Sequence, residues 1–225
     1  IDDLESRIND NTVALLVNFP SNPTGATVSV SQRDNLVKFA KKHDLWIITD
    51  EVYDRIIYNE EHISFLGAGH DKLFLINSFS KTFAMTGWRI GYVLSPDKDA
   101  MVEINKMQYY VTACSNDAMQ YAVLEAMNKA SDYPSKMCSE FKLRRDLICN
   151  RLNAMPGVSC HIPDGAFYVF PKVEVEGYNS EQLAIAILEK GGVLCSPGTA
   201  FGKAGEGHLR FAYTLDKDGI SKGMD

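Results

Sequence analysis

The chain has 225 residues, 45% of them apolar and 23% charged, and carries a net charge of −6. That is ordinary globular composition, enough for one large or two small domains. The acidic balance argues against nucleic acid as the main partner, because phosphate recognition needs a basic face. No run of about 18 apolar residues is present to span a membrane.

The N-terminal stretch "IDDLESRIND" is acidic and polar, unlike a secretory signal. "VALLVN" (13–18) is a short apolar run expected to form a strand buried on both faces, and it ends in the turn-forming cluster "FPSNPTG". Residues 31–44 read as a helix, with Ser31 as its cap, Asp34 three residues on, and Leu36, Val37, Phe39 and Ala40 on its apolar face. "LWIIT" (45–49), "KLFLIN" (72–77) and "IGYVL" (90–94) are further strands. Strands alternating with helical stretches predict a parallel α/β sheet with crossover helices. From residue 97 the pattern changes. Two long helices are expected at 97–129 and 135–155, broken near Pro134. Short strands follow at 166–171, 192–196 and 208–213, with a helix near 180–190. That pattern is an α+β second domain, and it divides the chain into 1–132 and 133–225.

The five cysteines, Cys114, Cys138, Cys149, Cys160 and Cys195, are odd in number and scattered, as suits free thiols in a reducing cytoplasm. No histidine spacing suggests a protein metal site. The glycines of "PGTAFGKAGEGH" (197–208) form a loop without the pattern of a nucleotide site, and Phe201 and Gly202 there are candidates to border a substrate.

Ligands of open parallel sheets bind beyond the carboxyl ends of the strands. Here the first strand runs into Asn22, the second into Asp50 and Tyr53, and the third into Ser78, Ser80 and Lys81, with Arg89 eight residues further on. A lysine suits Schiff-base chemistry with a carbonyl. An aspartate suits a protonated pyridine nitrogen, an arginine and serine hydroxyls a phosphate, and a tyrosine and an asparagine a phenolic oxygen. Pyridoxal 5′-phosphate (PLP) carries all four features.

The segments "NPTG", "DEVYDRIIY", "SFSKTFAMTGWRIGY", "GAFYVFP" and "LRFAYT" resemble, in order and spacing, the motifs of class I/II aminotransferases of PLP fold type I. The resemblance covers most of the chain. It implies a mostly parallel sheet with flanking helices plus a smaller α+β C-terminal domain. It also implies transfer of an amino group between an α-amino acid and an α-keto acid, in a cytoplasmic homodimer. Carried over, Lys81 forms the Schiff base and shuttles the proton, and Asp50 keeps the pyridine nitrogen protonated. Tyr53 and Asn22 bond the phenolic oxygen, Ser78, Ser80 and Arg89 contact the phosphate, and Arg210 forks onto the substrate carboxylate, aided by Asn22. A structural salt bridge is the rival role for Arg210. "AMTGWRIGY" resembles the branch acting on aspartate, aromatic amino acids or alanine.

Family members are longer. The resemblance begins shortly before "NPTG" and ends shortly after "LRFAYT", so the expectation is a fragment without the N-terminal part of the fold and without the last helix. Two other functions fit the same motifs: a β-eliminating C–S lyase, and the aminotransferase-like effector domain of a transcription regulator.

Overall fold

The computed structural model describes all 225 residues and divides into two compact units. The first comprises Ile1–Pro20, Thr27–Arg55 and Glu61–Pro134; the second comprises Ser21–Ala26, Ile56–Glu60 and Ser135–Asp225.

The first unit opens on a short helix, α1 (Asp2–Glu5), and holds a four-stranded sheet of β1 (Ala14–Asn18), β2 (Trp46–Asp50), β3 (Leu73–Ser78) and β4 (Gly91–Leu94), in the order β1-β2-β3-β4. β1, β2 and β3 are parallel, with Asn18 opposite Asp50 and Asp50 opposite Ile76. The parallel register brings the carboxyl ends of these strands to one edge. Helix α2 (Val30–Lys42) crosses between β1 and β2 and buries Val37, Phe39 and Ala40 against Val17, Leu45, Ile47, Phe65 and Leu73. Its cap is Ser29, not Ser31. The Ser29 hydroxyl accepts from Gln32 N at 3.2 Å and the Gln32 side chain accepts from Ser29 N at 2.9 Å, a reciprocal box that starts the helix one residue earlier. Asp34, expected to complete a box with Ser31, is instead engaged by Arg33.

Two expectations for the sheet change. β1 is buried on one face only: Val17 is 8% exposed but Leu16 is 72% exposed. β4 runs antiparallel to β3, with Ser78 opposite Gly91. Only residues 79–90 join them, and these hold a single-turn helix, α3 (Phe79–Thr82), and a 3₁₀ turn, Thr86–Trp88. With one turn of helix and a 3₁₀ turn in place of a crossover helix, the connection reverses the chain. Gly91 permits the close return, since a Cβ there would lie 2.7 Å from the Asn77 carbonyl oxygen.

The helical stretch expected over 97–129 is two helices, α4 (Lys98–Thr112) and α5 (Asp117–Lys129). Ala113, at φ 60°, ends α4, and the Asn116 side chain accepts from Met119 N to start α5. Pro134 does not break a helix. It sits in the first turn of α6 (Tyr133–Asn153), where a missing N–H has no intrahelical partner to lose.

The second unit pairs β5 (Val158–Ser159) with β7 (Lys172–Val173) and forms an antiparallel sheet of β6 (Tyr168–Val169), β9 (Leu209–Ala212) and β8 (Ser196–Pro197), with β9 central. Helix α7 (Ser180–Gly191) starts on a capping box of Asn179 and Gln182. Helix α8 (Lys217–Met224), capped by Asp216, lies beyond the elements assigned from sequence, where glycines at 219 and 223 hide the helical signal. Two segments from early in the chain are built into this unit. Gly25 O accepts from Asp164 N and Gly165 N at 3.1 and 2.9 Å. The Tyr58 and Tyr213 hydroxyls are 3.0 Å apart and both donate to the Ala166 carbonyl, and burial pushes both phenols well above their ordinary pKa. No helix is long and apolar enough to cross a membrane.

Candidate active site

In the first unit, the ends of β2 and β3 carry six of the eight candidate residues. Asp50 closes β2, and its Oδ1 accepts from Val52 N at 3.2 Å. Burial raises its carboxyl above the ordinary value, the Val52 bond works against that, and the neighbouring Glu51 charge adds to it. Tyr53, 3% exposed, follows in the turn. β3 ends at Ser78, which caps α3: its Oγ accepts from Ser80 N at 3.0 Å and donates to Ile90 O at 3.3 Å. Lys81 lies in α3 with its Nζ 5.9 Å from the centre of the Tyr53 ring. Burial lowers the pKa of the Lys81 ammonium, and the Arg89 charge lowers it further. The two turns therefore bring an amine whose charged form is disfavoured, a buried phenol and a reluctant carboxylate to the same sheet edge. Ser80 is buried beneath the turn. Arg89, at φ 54°, donates from Nη1 to Thr86 O at 2.9 Å.

Sequence reasoning passed over what holds this edge. Glu51, 2% exposed, accepts from Thr49 Oγ1 at 3.1 Å and Phe65 N at 2.9 Å, and its other oxygen is 2.6 Å from His62 Nε2. Burial alone would raise its pKa; the bonds from His62, Phe65 N and Ser64 outweigh burial and hold it below the ordinary range. The only sequence signal was an acidic pair, Asp50–Glu51, at a strand end, and its partners lie eleven and fourteen residues away.

The remaining two candidates lie together in the second unit. Arg210, on β9, donates from Nη1 to Asn22 Oδ1 at 2.9 Å and from Nη2 to Ser196 Oγ at 3.0 Å. Its guanidinium lies between two rings, 4.7 Å from the centre of Tyr168 and 4.9 Å from that of Phe201. Both acceptors are neutral, and the buried Nε has no hydrogen-bond partner. A buried donor left unpaired is costly. A planar cation with an orphaned Nε, held flat by two rings, is set up to receive the two oxygens of a carboxylate.

The sequence profile of the family described as aminotransferase class I and II matches residues 1–225. The chain is similar to an aspartate aminotransferase of Pyrococcus horikoshii, with 36% identity over 226 residues, 99% of this chain and 58% of the relative. Among solved structures it superposes on an aromatic aminotransferase of Pyrococcus horikoshii with a TM-score of 0.93 at 36% identity, covering 99% of this chain and 61% of that one. An alanine aminotransferase of Pyrococcus furiosus gives a TM-score of 0.93 at 33% identity, covering all of this chain and 58% of that one. The chain spans about three fifths of the length of the curated relatives it matches.

Proposed function

The chain belongs to the aminotransferase class I and II family and has its fold-type I α/β architecture with a smaller antiparallel C-terminal sheet, and from that premise we propose that the protein transfers amino groups between α-amino and α-keto acids with PLP as cofactor. The observation that carries the reading is Lys81, whose ammonium is destabilised by burial and by Arg89 at the end of a parallel strand.

The donor set fits the cofactor. Burial disfavours the charged form of Lys81 and of Asp50, in opposite senses. A group that condenses with the amine and places a cation against the carboxylate relieves both. When bound, PLP supplies an aldehyde that combines with amines and a protonated ring that draws electrons from the substrate Cα.

The residues of the chain do the rest. Lys81 Nζ would hold the cofactor and would take up and return the proton of the substrate Cα. The Asp50 carboxylate would keep the proton on the ring nitrogen, and Tyr53 would donate its phenol to the ring oxygen. Ser78, Ser80 and Arg89 would hold the phosphate. In the second unit, Arg210 receives the substrate α-carboxylate, with Asn22 Oδ1 orienting its fork. The amino acid is aspartate, aromatic or alanine-like, and the names of the relatives support all three. A cytoplasmic setting, supported by five scattered cysteines, and a homodimer belong to the same reading. Exposed apolar side chains along α4 and α5, among them Met107, Tyr110, Tyr121 and Leu124, support a covered face in the dimer.

The test is reduction of the protein with borohydride in the presence of PLP, followed by peptide mass analysis. A phosphopyridoxyl group is expected on Lys81 and absent from Lys81→Ala. An unmodified Lys81 would overturn the reading.

A further inference from the structure

Between the Tyr53 turn and the Lys81 turn lies a carboxylate with no role in the scheme above. Asp54 directly follows Tyr53, and its side chain is 19% exposed. Its Oδ1 accepts from Thr82 Oγ1 at 3.4 Å, and Thr82 directly follows Lys81. The Asn77 side chain helps keep the Asp54 carboxyl ionised, and Asn77 Oδ1 accepts from Ser78 N at 2.6 Å, at the end of β3. One carboxylate therefore bonds the residue directly after the lysine.

We propose that Asp54 is a positioning residue: its carboxylate, through Thr82, ties the Tyr53 turn to the Lys81 turn and so fixes the amine against the phenol. The effect passes through the backbone, since Asp54 directly follows Tyr53 and Thr82 directly follows Lys81. The tie places a carboxylate where burial opposes its ionisation and raises its pKa. The remaining charges around the cluster are known. Asp54 Oδ2 lies 3.6 Å from Arg55 Nε, His62 acts on it at longer range, and its charge helps raise the Tyr92 phenol after burial has done so. Lys81 faces Tyr53 and the cation of Arg89.

The geometry gives the test a sign. Burial and the Arg89 cation hold the Lys81 pKa down. Loss of the tie lets the lysine turn relax toward water, which raises it. The inference rests on the reading of Lys81 as the reactive amine, and the experiment separates the two. The cofactor-free full chain is labelled with trace acetic anhydride across pH, and Lys81 acetylation is followed by peptide mass against an added lysine-containing model peptide. If the wild-type midpoint for Lys81 is not below that of the model peptide, the reading of Lys81 itself fails. If it is below, Asp54→Ala is expected to raise it by about one unit toward that of a solvated lysine, and Asp54→Asn, which keeps an acceptor for Thr82, to leave it within a few tenths. Thr82→Val, nearly isosteric, removes one arm of the tie and is expected to raise the midpoint by a smaller amount, and it serves if Asp54→Ala does not fold. An unchanged or lowered midpoint in folded Asp54→Ala, or no rise in Thr82→Val, would overturn the proposal.

Discussion

Replacing Glu51 with alanine removes the acceptor that holds the loop between β2 and β3. Thr49 Oγ1 at 3.1 Å, Phe65 N at 2.9 Å and His62 Nε2 at 2.6 Å converge on this carboxylate, with Ser64 beside them. The first two bonds are buried, and Glu51 itself is 2% exposed. Each bond to an ionised acceptor contributes about 1.5–3 kcal/mol. Removing the glutamate also returns its own desolvation cost, so the losses do not simply add; breaking one side of a buried pair costs about 3–5 kcal/mol net. We expect Glu51→Ala to lose about 3 kcal/mol at pH 7 and Glu51→Gln, which keeps one acceptor oxygen, about 1–2 kcal/mol. Urea unfolding followed by tryptophan fluorescence reads this, since Trp46 and Trp88 both lie in the first unit. The pH dependence has a definite sign. The folded-state pKa of Glu51 is depressed, so its contribution is present above the ordinary glutamate value and lost as pH falls through the folded one. The gap between wild type and Glu51→Ala should therefore close as pH falls below about 4. A gap under about 1 kcal/mol at pH 7, or one that stays constant down to pH 3, would refute the account of Glu51.

Three further outcomes are expected. Burial raises the Asp50 carboxyl, so the folded state binds its proton more tightly than the unfolded chain and stability falls as pH rises through that range. Asp50→Asn should therefore stabilise the cofactor-free protein by about 0.5–1 kcal/mol at pH 7 and by nothing below pH 3.5, while transamination falls at least about 100-fold; denaturation curves at the two pH values and a steady-state assay check both halves. Gly25 sits at φ +68°, and a Cβ there would lie 2.3 Å from Pro163 Cβ and 2.6 Å from Gly165 O. Gly25→Ala should cost at least about 2 kcal/mol, read as a fall in melting temperature. Arg210→Lys cannot occupy Asn22, Ser196 and a carboxylate in one plane, so KM for the amino acid should rise about 10- to 100-fold with a smaller change in kcat.

The parts of the fold legible in the sequence were those written in local pattern. The apolar runs at 13–18, 45–49 and 72–77 announce β1, β2 and β3 because their alternation with helical stretches is a property of consecutive residues. The cap of α2 was misplaced by two residues because Ser29 and Ser31 are both competent, and only the return bond from Gln32 decides between them. The antiparallel sense of β4 depends on how far a chain can travel in residues 79–90, which periodicity does not report. The candidate side chains were legible as strand-end residues. Their partners were not: Ser196, Tyr168 and Phe201 around Arg210, and Thr82 beside Asp54, are chosen by tertiary contact across stretches with no common pattern.

The two groups of candidate residues also differ in how the chain must travel to assemble them. Ser78 and Gly91 pair across one tight reversal that carries Lys81 between them. The bond from Arg210 to Asn22 joins residues 188 positions apart. Each doubling of loop length adds about 0.6 kcal/mol to the entropy of closure, so the longer loop starts about 2 kcal/mol behind. Contacts of short span form early and those of long span late. The lysine hairpin can thus take shape from its own neighbourhood, while the arginine fork exists only after distant ends of the sequence have met. During synthesis the ribosome releases the hairpin long before Arg210, and the nascent chain carries its amine before it has any grip for a carboxylate.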